Sequence, residues 1–153
     1  MIKVIDAAKY IASKYKAIYG EEISEMKLHK LLYFAQREAL IASDTPLFLE
    51  IFEGWRFGPV IPSIRHSFNS ICNADQIVLD KFSETILNNT LLRYGNKDPW
   101  SLSRLSHGEY SWQKSREGVS EYQNSHREIL IENIRIDAKR IKERRKMLAE
   151  LGI

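Results

Sequence analysis

The chain has 153 residues, 44% of them hydrophobic and 28% charged, with a net charge of +3. That length builds one domain with a real core, and the composition is that of a folded soluble protein, not a disordered or fibrous one. No apolar run approaches the roughly 20 residues of a membrane span, the N-terminus lacks the apolar stretch of a signal peptide, and a single cysteine, Cys72, excludes an internal disulfide and points to a reducing cytoplasm.

Val4 to Tyr19 is predicted to be a helix, because Val4, Ile5, Ala8, Ile11, Ala12, Tyr15 and Ile18 recur at the spacing of one buried face; Gly20 ends it. Ser24 is the expected N-cap of a second helix, with Ile23 and Leu28 placed as a hydrophobic staple and Glu25 in the first turn. Its stripe of Leu28, Leu31, Leu32, Ala35, Ala39 and Ala42 is the strongest in the chain and predicts the centre of the core. Lys27, His29, Lys30, Gln36 and Arg37 fall off the stripe. Gln36 flanks the buried face, which leaves two roles open: a contact to a partner, or a satisfied amide in the core.

Asp44-Thr45-Pro46 is a turn. Phe48 to Phe57 has strand-like content, with Ile51, Glu53, Trp55 and Phe57 alternating against Phe52, Gly54 and Arg56; neither face is cleanly apolar, which suits a short edge strand. The run from Gly54 to Pro62 then packs two glycines, two prolines, Trp55 and Phe57 around Arg56. Pro59 fixes its own φ and keeps Gly58 out of the helical region, Gly58 can take positive φ, and Pro62 suits a helix start. The run predicts a rigid corner between a strand and a helix. That helix, Pro62 to Ile71, has Ile64, Phe68 and Ile71 inward and Arg65 and His66 outward. Gln76 to Leu79 is the expected partner of the first strand. Helical spacing returns from Ser83 to Tyr94, and again after Asp98-Pro99 until His107-Gly108. Glu109 to Trp112 forms a turn or short helix, and Gly118 to Asn124 a polar loop. Ser125 and Glu128 fit a capping box for a long helix reaching about Leu151, with Leu130, Ile131, Ile134, Ala138, Ile141 and Leu148 inward and Arg145 interrupting. The fold class is therefore mainly α: one multi-helix domain with a short two-stranded β element and a long basic C-terminal helix.

For chemistry the sequence offers little. His29, His66, His107 and His126 share no metal-ligand spacing, and no phosphate loop, nucleophile elbow or HExxH occurs. The expectation is no enzyme, no metal and no cofactor. Cys72 reads as a small packed residue and not as a reactive thiol. The charge imbalance belongs to residues 125–153, where eight Lys/Arg face five Asp/Glu. Three readings of Lys139, Arg140, Lys142, Arg144, Arg145 and Lys146 stand open: a solvated helix end favoured by the helix dipole, a contact to nucleic-acid phosphates, or a dimerising helix using Ile134, Ile141 and Leu148 at seven-residue spacing.

Three ordered runs carry a resemblance: Met26-Lys27-Leu28-His29-Lys30-Leu31-Leu32-Tyr33-Phe34-Ala35-Gln36, Phe52-Glu53-Gly54-Trp55-Arg56-Phe57-Gly58-Pro59-Val60-Ile61-Pro62, and Leu102-Ser103-Arg104-Leu105-Ser106-His107-Gly108-Glu109-Tyr110-Ser111-Trp112. Together they resemble the Panacea domain family, which includes SocA-like antitoxins and phage-associated Gep proteins. Its pattern is a K-L-x-K-L-L-Y-Y-A-Q helix, an A-W-x-x-G-P-V corner and an L-S-x-x-T-H-x-E-x-P-W segment. Here Phe34, Gly54, Ser106 and Ser111 depart from it mildly. The resemblance assigns residues 1–134 to a Panacea-like domain and leaves residues 135–153 as a basic extension. It implies a bacterial or phage cytoplasmic protein without catalysis or cofactor, an antitoxin that binds and neutralises a cognate toxin. In the SocA branch it also implies a proteolytic adaptor that presents the toxin to an ATP-dependent protease. Aromatic and arginine side chains dominate such binding, which makes Trp55, Arg56, Phe57, Arg65, Tyr110 and Trp112 the candidates. Trp55 and Trp112 serve equally as core residues. His107 either joins the surface or caps its own helix.

Overall fold

The computed structural model describes all residues from Met1 to Ile153. Seven helices and one β-hairpin follow in the order α1 (Val4–Tyr19), α2 (Glu25–Ser43), β1 (Glu53–Trp55), β2 (Gly58–Val60), α3 (Pro62–Cys72), α4 (Lys81–Tyr94), α5 (Pro99–His107), α6 (Tyr110–Ser115) and α7 (Ile131–Glu150). The mainly α expectation holds. Local signals set most boundaries. Gly20 closes α1 at φ 72°. Ser24 Oγ accepts the Lys27 N–H at 3.2 Å, and Asp80 and Asp98 cap α4 and α5 in the same way.

α2 is the central element, packed by α1, α3, α4, α5, α7 and β2. Every residue from Lys27 to Leu40 is buried, so the polar residues that fall off its stripe are inside as well. The reason is coverage: a helix wrapped on all sides has no solvent face, and each polar side chain then needs an internal partner. Gln36 finds three. Its amide donates to the Phe48 carbonyl at 2.8 Å and its oxygen accepts the N–H groups of Leu47 and Phe48. Gln36 is thus the satisfied core amide, acting like the edge of a sheet for segment 47–48.

Two expectations change. Residues 76–79 form no strand; β1 pairs with β2 in the register Glu53–Val60, Gly54–Pro59 and Trp55–Gly58. The corner is itself a hairpin, closed over Arg56-Phe57 by Gly58 at φ 119°. The other edge of β1 is covered by the segment before α7: Gly54 donates to the Arg127 carbonyl at 2.8 Å, and Ile129 to the Phe52 carbonyl at 2.7 Å. That pairing holds Glu128 in an extended bridge opposite Glu53, so Ser125 and Glu128 form no capping box and α7 starts at Ile131. Burial of Ile129 at 2% exposure favours the extended path.

α7 runs unbroken through residue 134 and folds back along α2. Arg145 keeps its inward place by a forked ion pair to the buried Glu38, at 2.6 and 2.9 Å. No helix is long and apolar enough to cross a membrane.

Candidate functional site

The three sequence runs converge at the hairpin. From α2, Lys30 Nζ donates to the Pro59 carbonyl at 3.4 Å, and His29 Nδ1 accepts the Ile61 N–H at 3.3 Å. From α5, Ser103 Oγ donates to the Phe57 carbonyl at 2.7 Å. From α6, Trp112 Nε1 donates to the Trp55 carbonyl at 2.9 Å. Arg116, just after α6, donates to the carbonyls of Gly54, Ser120 and Gln123 and so ties the loop before α7 to β1. The hairpin is thereby a fixed shelf whose tip side chains are free to face outward.

Two concavities flank that tip. One, of about 440 Å³, is bounded by Glu25, His29, Lys30, Trp55, Arg56, Phe57 and Arg65. The other, of about 460 Å³, lies between Arg56, Phe57, His107, Trp112, Arg116 and Tyr122. Of the seven candidate partner residues, the fold brings six to this face. Tyr110 is apart from both concavities. Phe57 is 42% exposed and meets Trp100 edge-on, with ring centroids 5.3 Å apart. Arg56 lies over Phe57 at 4.8 Å, and Arg65 over Trp55 at 5.3 Å. Trp55 and Trp112 are half-buried, between the two roles open to them. His107 stacks on Trp112 at 4.0 Å with a 9° tilt; it buttresses the face.

The basic C-terminal residues do not form one stripe. Arg145 is held by Glu38, Arg140 and Arg144 border a cleft toward α5, and Lys139 and Lys142 border another beside Asp44.

Sequence reasoning missed the interior charges. Glu25 bridges His29 and Arg65, each at 3.1 Å; its i to i+4 spacing from His29 was a readable sign. Asp137 caps α6, accepting the N–H groups of Tyr110 at 2.8 Å and Ser111 at 2.9 Å, with Tyr33 Oη also donating to it. Glu109 pairs with Arg37. No local pattern announces these pairs.

Burial leaves its mark on titration. Burial, and then the Lys30 charge, lowers His29 from 6.5 to about 4. Burial, aided by Asp137 and opposed by Arg37, raises Glu109 from 4.5 to about 7. A raised carboxyl keeps its proton in the fold, so stability falls as pH rises from 4.5 to 7. A lowered imidazole sheds its proton early, so stability grows as pH rises from 4 to 6.5. The two effects oppose each other, each on the order of 3 kcal/mol. Between pH 4.5 and 6.5 the Glu109→Gln variant is expected to show a urea midpoint that climbs with pH more steeply than the parent's. A Glu109→Gln profile parallel to the parent's would show that Glu109 is already ionised throughout.

A family model described as "Antitoxin SocA-like, Panacea domain" matches residues 28–113, the span from α2 into α6 that supplies most of the residues around both concavities. Antitoxin SocA of Caulobacter vibrioides (strain NA1000 / CB15N) is 44% identical over 48 residues, which are 31% of this chain and 26% of that relative. The match therefore spans about a quarter of the relative's length. No solved structure matches the chain. Since the family model covers more than half of the chain and coincides with the three converging runs, the chain belongs to the SocA-like antitoxin family, with a Panacea domain.

Proposed function

We propose that this protein is an antitoxin that neutralises a cognate toxin by direct, non-catalytic binding, with the face around the 55–58 hairpin as its docking surface. The observation that supports it is the convergence of the three family runs on one shelf, where Trp55, Arg56, Phe57 and Arg65 stand beside an open cleft of about 440 Å³. Aromatic and arginine anchors beside a pre-formed cavity are what a protein interface draws its energy from. The hydrogen bonds beneath hold the shelf before a partner arrives, so little ordering is left to oppose binding.

Neutralisation then follows one of two routes, blocking the toxin or delivering it to an ATP-dependent protease. The test is co-expression with the product of the adjacent open reading frame. Arg56→Ala and Phe57→Ala are expected to keep the parent's melting temperature and to weaken toxin capture by about 1–3 kcal/mol each, enough to lose rescue of growth. Rescue at the parent's level by both variants would place the docking surface elsewhere. Toxin half-life in cells lacking the ATP-dependent proteases separates the routes: delivery predicts that the toxin accumulates and that rescue fails, and blocking predicts neither.

A further inference from the structure

Two lysines of α2 are buried, and they are not alike. Lys27, 6% exposed, donates to Tyr15 Oη at 3.2 Å and to the Gly95 carbonyl at 3.0 Å, and lies over the Tyr15 ring. It is a satisfied structural cation. Lys30 is 2% exposed, and its ammonium has three donors. Within the fold it reaches one acceptor, the Pro59 carbonyl, at a long 3.4 Å. Glu25, the acidic residue of the same cleft, is engaged by His29 and Arg65 and forms no ion pair with Lys30. Burial lowers the Lys30 pKa from 10.5 to about 8, against the opposing pull of the Glu25 charge. A cation that is desolvated and without an ion-pair contact lowers the stability of the fold that holds it.

The space around Lys30 suits a ligand. Lys30 borders the hairpin cleft together with Arg56 and Arg65, so the cations there outnumber Glu25. Gly58 keeps the stem of Lys30 uncrowded; a Cβ on Gly58 would stand 2.5 Å from Lys30 Cε. Trp55 and Phe57 supply apolar walls for the neighbours of an inserted side chain.

We propose that Lys30 is the anchor of this cleft and takes a carboxylate, an aspartate or glutamate side chain of the protein partner. The inserted acid supplies the direct ion pair that the fold withholds, while Arg56 and Arg65 guide it at the rim. A single negative charge fits better than a phosphate dianion, because the cost of desolvation grows with the square of the charge while the attraction to the cleft's cations grows only in proportion to it. The assignment rests on the hairpin face as the docking surface, and it names the chemistry of the partner.

The test uses two substitutions and one probe. Lys30→Met keeps the length of the side chain and removes the charge. It is expected to raise Tm by about 2 °C or more and to weaken toxin capture at least about tenfold. Lys27→Met is expected to lower Tm, as loss of a satisfied cation should. The probe is N-acetyl-glutamate N-methylamide, titrated at constant ionic strength while the Lys30 Cε–Hε NMR signals are followed. The expected result is a Lys30 titration midpoint raised by about one unit or more, with no response to the glutamine analogue. The inference is overturned if Lys30→Met lowers Tm as Lys27→Met does or captures toxin as the parent does. It is likewise overturned if the glutamine analogue moves Lys30 equally, or if potassium phosphate moves Lys30 and the glutamate probe does not. Loss of capture in Arg56→Ala and Phe57→Ala but not in Lys30→Met leaves the docking surface in place and removes only the anchor. If Arg56→Ala and Phe57→Ala both capture toxin normally, the docking surface falls, and the probe titration still decides whether Lys30 binds a carboxylate.

Discussion

Gly58→Val is expected to destabilise the protein by about 3–5 kcal/mol, a large part of the roughly 5–15 kcal/mol that holds a domain of this kind. Two causes add. The φ of 119° lies where a β-branched residue is a genuine outlier, which costs about 1–3 kcal/mol. The new Cβ would also stand 2.5 Å from Lys30 Cε and 2.6 Å from Ser106 Oγ. Neither neighbour can easily yield: Lys30 is 2% exposed and Ser106 fully buried, its hydroxyl donating to the Ser103 carbonyl at 2.7 Å. Overpacking of that kind costs about 1–3 kcal/mol more. Gly118 provides the control, because it has φ 80° and nothing within 4 Å of a built Cβ. Urea unfolding of Gly58→Ala and Gly118→Ala separates strain from crowding. Equal losses in the two would mean that Lys30 and Ser106 move aside, and that the hairpin is less tightly set against α2 and α5 than their contacts indicate.

Gly58 also shows where the sequence was legible and where it was not. That a glycine before proline would take an unusual φ is a local property of two residues, and so it could be read. So could the α2 stripe, the caps at Ser24 and Asp98, and the gathering of Trp55, Arg56 and Phe57 at one turn. The strand pairing could not. Gln76 to Leu79 has the apolar content of a strand and Pro59 argues against one, yet β2 forms because a two-residue turn brings Gly58 to Val60 opposite Glu53 to Trp55 at once. The same holds for Ser125 and Glu128, whose pattern allows a capping box or an extended edge; the open edge of β1 decides between them. Buried charge was the hardest to read. Lys30, Arg37, Glu109 and Asp137 look like solvated residues in sequence, since their hydrogen-bond partners lie 26 or more residues away. Arg145 was visible only as a break in the α7 stripe, and Glu38 across the interface explains the break. That ion pair also means that cutting the chain before Arg145 would leave the buried Glu38 with only the distant Arg37, at 3.9 Å. The basic residues are better probed by replacing Lys139, Lys142 and Lys146 with glutamine than by truncation.

Asp137→Ala is expected to cost about 3–5 kcal/mol, the range for removing one partner of a buried charged network. Asp137 is 1% exposed. Its two oxygens take the N–H groups of Tyr110 and Ser111, the start of α6, and the hydroxyl of Tyr33 from α2. Tyr33 keeps a second partner, Ser111 Oγ at 2.6 Å, so the main loss falls on the two backbone donors, each left unpaired at about 1–3 kcal/mol. Asp137 lies beyond the residues the family model matches, yet it orients the segment that carries Trp112, and Trp112 in turn holds the Trp55 carbonyl. Loss of the cap should therefore be felt at the hairpin as well as in the core. The measurement is urea unfolding of Asp137→Ala, Ser111→Ala and the double variant, with Trp fluorescence as the probe. Because each single variant leaves Tyr33 one partner and the double variant leaves its buried hydroxyl with neither, the combined loss should exceed the sum of the two by about 0.5 kcal/mol or more. Asp137→Asn, which retains one acceptor oxygen, should lose less. Its NH2 then stands against one backbone donor, the Tyr110 N–H in the place of Oδ1 or the Ser111 N–H in the place of Oδ2, so part of the loss remains. A loss under about 1 kcal/mol in Asp137→Ala, with full additivity, would mean that water fills the place of the carboxylate and that α6 is positioned by its packing on α7 alone.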